Sequence, residues 1–167
     1  MRVLVTAASR HGGTAEIGSR VAAELIARGH EVEVVDPAQV KTLDGFNAVV
    51  LGSAVYTGHW LPAAREFAST FAADLAKRPV WLFSSGLATA PAAAANSPAE
   101  TRAVMTAVGA RGHRAFGGRL DHEVLNLAER AIIAAARGRD GDHRDMAAVE
   151  EWAGQISGEL ARTAIPA

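Results

Sequence analysis

The 167-residue chain contains no cysteine. That excludes disulfides, thiolate catalysis, iron–sulfur clusters and thiolate zinc sites. It is almost without excess charge: 17 basic residues face 18 acidic ones, a net charge of −1. A bulk electrostatic grip on nucleic acid is therefore not expected. No apolar run reaches the length of a membrane span. The opening MRVLVTAAS has too short an apolar stretch for a signal peptide and runs into a charged, Gly-rich turn, so a cytoplasmic protein is expected. Two nucleotide signatures, GxxxxGK[ST] and GxGxxG, are missing. So is GxSxG, and no Ser–His–acid order replaces it, which argues against a hydrolase. His113, His122 and His143 are too scattered to share a metal. Aromatics make up only 5% of the chain.

What is present is alternation. RVLVTAA (2–8), EVEVVD (31–36), NAVVLGSAV (47–55), PVWLFSSG (79–86) and HRAFGGRL (113–120) read as strands, the last of them nearer a sheet edge. The run at 47–55 is apolar throughout, the mark of a strand buried on both faces; that at 79–86 reads as another buried strand, and that at 2–8 is nearly continuous. Helical spacing fills 14–29, where Ile17, Val21, Leu25 and Ile26 recur, and 61–78, 98–111, about 122–137 and 146–162. This order predicts a single α/β domain over 1–167: a doubly wound, five-stranded parallel sheet. TAPAAAANSP (89–98) and ARGRDGDHRD (136–145) read as loops.

Such a sheet binds ligands beyond the carboxyl ends of its strands, so the loops after the strands matter most. The first is Ser9, Arg10, His11, Gly12, Gly13 and Thr14, between a strand and a helix start. Helix amides and the helix dipole favour an anion there. The glycines admit close approach and the hydroxyls can donate. Without the triphosphatase lysine, a terminal monophosphate is favoured; read alone, the same residues are equally an ordinary helix cap. The second loop holds Ala54, Val55, Tyr56, Thr57, Gly58 and His59, followed by Trp60. Three aromatic-ring side chains in five positions suit a flat ring pressed on backbone, although Trp60 by itself reads as a core anchor for the next helix. The third holds Ser84, Ser85, Gly86 and Leu87, whose donors suit a heterocycle edge or a routine strand exit.

In this order the three loops resemble those of the flavodoxin-like family. The resemblance implies strand order 2-1-3-4-5 and flavin mononucleotide (FMN) as cofactor. The phosphate would lie on SRHGGT, and the isoalloxazine ring between AVYTGH and SSGL. SRHGGTAEIG, LGSAVYTGHW, FSSGLA, FGGRLDHEVLN and GDHRDMAAVEEWA together look like the menaquinone-dependent protoporphyrinogen oxidase branch. Met146 stands where that branch's D-x-R-D-W pattern has Trp. The resemblance implies an FMN-dependent oxidoreductase with a quinone or a redox protein as partner; the alternatives are a flavodoxin-type electron carrier and a non-catalytic FMN-binding partner protein. Asp121, after FGGRL, is placed near the ring. His11 and His59 are the histidines in the loops, and no catalytic acid or base stands out. The low net charge disfavours a freely diffusing electron shuttle that docks by charge. In 122–139, Val124, Leu125, Ala128, Ala131, Ile132 and Ala135 share one helical face flanked by Arg130, Arg137, Arg139 and Arg144. That face either packs on the sheet or lies on a membrane surface near a quinone.

Overall fold

The computed structural model describes residues 1–86, 99–120, 127–135 and 141–164. Its strands are β1 (Arg2–Ala8), β2 (Glu31–Val34), β3 (Ala48–Tyr56), β4 (His59–Trp60), β5 (Val80–Gly86), β6 (Gly112–Gly117), β7 (Arg119–Leu120) and β8 (Gly141–Asp142). Its helices are α1 (Gly13–Ala27), α2 (Pro62–Thr70), α3 (Ala72–Leu75), α4 (Glu100–Val108), α5 (Leu127–Ala135) and α6 (Met146–Thr163). Five strands form one parallel sheet in the order β2-β1-β3-β5-β6. Counted along the chain, these five have the expected order 2-1-3-4-5; the strand expected over 113–120 lies at an edge but ends at Gly117, and Arg119–Leu120 leaves it. The short β4 folds back antiparallel on β3 as a sixth strand, and β7 pairs with β8 in a separate ribbon. The sequence reading has neither.

The buried strands feed two cores by simple alternation. Val3, Val5, Val50, Trp81 and Phe83 face α1 and α6, where Ile17, Val21, Trp152 and Ile156 complete the layer. Leu4, Val49, Leu51, Val80 and Leu82 face the other way and meet Phe67 of α2, Leu75 of α3 and Val108 of α4. Each of these fully buried aliphatic side chains contributes about 1.5–3 kcal/mol relative to exposure. The helix expected over 61–78 divides at Phe71, whose backbone (φ −102°, ψ 13°) leaves the helical region. The turn stacks Phe71 on Phe67 at 5.1 Å and lets Leu75 reach full burial.

The sheet places the ends of β1, β3 and β5 side by side: Ala8 pairs with Ser53, and Ser53 with Ser84. The three candidate loops leave from this common edge.

Candidate functional site

The first loop turns at Gly12 (φ +87°), a left-handed conformation that costs a glycine little. Gly12 is also the N-cap of α1, so the helix starts without a capping side chain. An α-helix cannot satisfy its own first amides, here those of Gly13, Thr14 and Ala15; Glu16 N–H is the first to return, to Gly12 O at 3.0 Å. The Ser9 hydroxyl instead accepts the Gly12 amide at 3.1 Å and shapes the turn. Thr14 is buried, whereas Arg10 and His11 are exposed. Uncapped amides at a positive helix end are a seat for an anion.

The second loop is a two-residue hairpin. Val55 pairs with Trp60 and Tyr56 with His59. Thr57 (φ 51°) and Gly58 (φ +77°) turn the chain with two positive φ angles, the pattern that matches strand twist in tight hairpins. Thr57 is the one non-glycine residue with positive φ among the described residues. Glu100, the first residue of α4, holds the hairpin: its carboxylate accepts the Trp60 amide and faces His59 Nδ1 at 3.2 Å. Trp60 is 1% exposed and lies in the core, so it anchors the start of α2 and does not face a ligand. The indole donates to Ser84 Oγ at 2.8 Å, and Ser84 Oγ lies 2.7 Å from His113 Nε2. Burial holds His113 below the ordinary histidine pKa, toward the neutral form. Ser84 accepts from the indole, and its hydroxyl shares a second hydrogen bond with the neutral imidazole, whose direction follows the ring's tautomer. Ser85 Oγ donates to Gly117 O at 3.2 Å. Both serine hydroxyls tie strands together, which leaves backbone groups as the third loop's donors and acceptors. Leu87 and Asp121 lie outside the described residues.

Loops one and two meet through Arg10. Its guanidinium sits 4.2 Å from the centre of the Tyr56 ring, and its Nε donates to Glu129 Oε1 at 2.6 Å. The same carboxylate oxygen is 3.5 Å from His11 Nε2. Glu129 comes from α5 and is 4% exposed. The expected apolar face of this segment is only partly described: Ala128 and Ala131 are exposed, Leu127 is 84% exposed, and Glu129 is the inward residue. Residues 122–126 and 136–140 lie outside the described residues.

A second charged cluster flanks the N-terminus of α1. Arg144 donates to Glu16 Oε2 at 2.6 Å, to both Asp142 oxygens at 2.8 and 2.7 Å, and to Gly13 O at 3.3 Å. Arg119 donates to Glu16 Oε1 at 3.0 Å. The Arg144 guanidinium lowers the pKa of both carboxyls beside it, that of Asp142 to about 2. Arg119 and Asp142 are cross-strand partners in the β7–β8 ribbon, which lies against Gly12 and Gly13. Sequence reasoning missed Glu16, Glu100, Asp142, Arg119 and Glu129 as neighbours of the loops. Arg119 and Asp142 did stand in the FGGRLD and GDHRD segments, two of those that carry the resemblance. Among the described residues no group of three or more His, Asp or Glu could hold a metal. None of the described helices is long and apolar enough to cross a membrane.

A family model described as "Flavodoxin domain" matches residues 4–146. No curated protein matches the chain. Among solved structures, a flavodoxin of Streptococcus pneumoniae TIGR4 superposes with a TM-score of 0.65 at 18% identity, covering 95% of this chain and 99% of that one. Rubredoxin oxygen:oxidoreductase from Desulfovibrio gigas matches with a TM-score of 0.64 at 13% identity, over 98% of this chain and 37% of that one. A flavodoxin, WrbA-like protein from Agrobacterium tumefaciens gives 0.61 at 13%, over 96% and 98%. At these identities the likeness is one of fold.

Proposed function

The chain belongs to the flavodoxin domain family, and on that premise we propose that it is an FMN-binding redox protein working as an oxidoreductase of the menaquinone-dependent protoporphyrinogen oxidase type. One observation carries the cofactor reading. The uncapped amides of α1 at the Gly12 turn and Tyr56, the one tyrosine of the chain, leave from the common edge of β1, β3 and β5 and are joined by Arg10, whose guanidinium lies over the Tyr56 ring. The residues fit the cofactor: an anion seat on the first loop and an aromatic side chain on the second, linked through Arg10. In this reading Ser9, Gly12, Gly13 and Thr14 hold the phosphate. Tyr56 through His59 and the backbone of Ser84 to Gly86 border the ring.

When bound, the flavin supplies the electron-transfer chemistry, and the protein binds, orients and tunes it. The Glu100 clamp on Trp60 and the Trp60–Ser84–His113 chain hold the two ring-side loops at fixed separation. The finer, oxidase reading rests on the resemblance of the FGGRLD and GDHRD segments. Arg119–Leu120 of FGGRLD and Gly141–Asp142 of GDHRD pair directly beside the first loop. A net charge of −1 also favours a small-molecule or quinone partner over charge-steered docking on a protein. The test is turnover by the FMN-loaded protein. Oxidation of protoporphyrinogen with a quinone as electron acceptor is expected. Rapid electron passage from a reductase to a second redox protein, without porphyrinogen oxidation, would contradict the oxidase reading and identify a carrier.

A further inference from the structure

We propose that Arg119 is a ligand of the flavin phosphate, and that Glu16 competes with the phosphate for it. The inference rests on the FMN reading above. Arg119 is 103 residues from Glu16 in sequence, and the β7–β8 ribbon brings it to the first loop. Its backbone and Cβ lie 3.5–3.8 Å from where a Cβ on Gly13 would stand, and its Nη2 lies 3.8 Å from the same point on Gly12. One guanidinium thus spans from the Gly12 turn to the Glu16 carboxylate.

The two arginines that share Glu16 are not equivalent. The Arg144 side chain is 6% exposed and is bound on its far side by both oxygens of Asp142. It is committed. The Arg119 side chain is 36% exposed and holds Glu16 through one nitrogen. It is the cation that can change partner. Around the loop, Arg10, Arg119 and Arg144 are matched by Glu129, Glu16 and Asp142. A phosphate monoester brings a charge of about −1.5 to −2 at neutral pH into this balanced set. Transferring Arg119 from Glu16 to the phosphate supplies a forked, charge-assisted donor. It strands no buried ion, because the half-exposed Glu16 keeps Arg144.

The test is titration of the flavin-free protein with FMN and with riboflavin, which has the same ring and no phosphate, followed by quenching of flavin fluorescence. Arg119→Ala is expected to weaken FMN about tenfold, the scale of one lost hydrogen bond to a charged group, and to leave riboflavin unchanged. Arg119→Lys should lie between. Glu16→Gln should tighten FMN several-fold, and the gain should vanish in the Arg119→Ala background. Unchanged FMN affinity in Arg119→Ala overturns the assignment. So does a matching loss for riboflavin, or a Glu16→Gln gain that survives without Arg119. A wild-type protein that binds no FMN fails earlier, at the cofactor reading, and takes this inference with it.

Discussion

Ser84→Ala removes the atom that joins the second and third loops. Ser84 Oγ accepts the Trp60 indole N–H at 2.8 Å and lies 2.7 Å from His113 Nε2. The two losses differ in kind. His113 is part-exposed, so water can replace the hydroxyl there. Trp60 is 1% exposed, so its N–H is left buried without an acceptor. An orphaned buried donor costs about 1–3 kcal/mol. In a domain of this size 1 kcal/mol moves the melting temperature by roughly 2–4 °C. A loss near 2 kcal/mol should therefore lower Tm by about 4–8 °C, and urea unfolding should show it in the midpoint with an unchanged slope. Trp60→Phe has no N–H to strand, so the pair should couple. The double variant Trp60→Phe/Ser84→Ala should be more stable than the sum of the single losses implies, by about 1–2 kcal/mol. Ser84→Ala within about 0.5 kcal/mol of wild type, or strict additivity, would refute the claim that this hydroxyl satisfies the indole.

Thr57→Asn should raise Tm by a few degrees, because Asn tolerates the positive φ that a β-branched residue adopts at a cost of about 1–2 kcal/mol; calorimetry checks it. Gly52→Ala should destabilise severely or prevent folding, since a Cβ there would lie 2.1 Å from Phe83 Cζ in a ring packed against Phe116 and Trp152; soluble yield and near-UV circular dichroism report it. Stability should fall as pH drops below the ordinary histidine value of 6.5. Burial keeps His113 and His30 neutral in the folded state while the unfolded chain takes up the protons. His113→Asn should reduce that slope in urea titrations between about pH 5 and 7.

The sheet was legible because its strands are buried on both faces. The continuous apolar runs of β1, β3 and β5 have no other use, and α1 carries its apolar stripe at regular spacing. The hairpin at Thr57–Gly58 was not legible as a strand pair, since β4 is only two residues long and one of them is core Trp60. Ser84 illustrates a second limit. A hydroxyl at a loop mouth reads as a donor to a ligand, yet here it is fully buried and spent between Trp60 and His113. The charged frame around the first loop was hidden for another reason. Arg119, Glu129 and Arg144 reach the loop across more than a hundred residues of chain, and no local pattern encodes such a contact. Glu129 interrupts a segment otherwise read as an apolar face. An acid between Ala128 and Arg130 in an alanine-rich stretch was the available signal of an inward ion pair.

On the proposed reading, the edge formed by β1, β3 and β5 is an FMN site. The most direct measurement is a visible absorption and fluorescence titration of the flavin-free protein with FMN. Saturable binding at micromolar concentration, with a shifted flavin spectrum and quenched flavin fluorescence, is expected. An unshifted spectrum, with no quenching through the micromolar range, would contradict it.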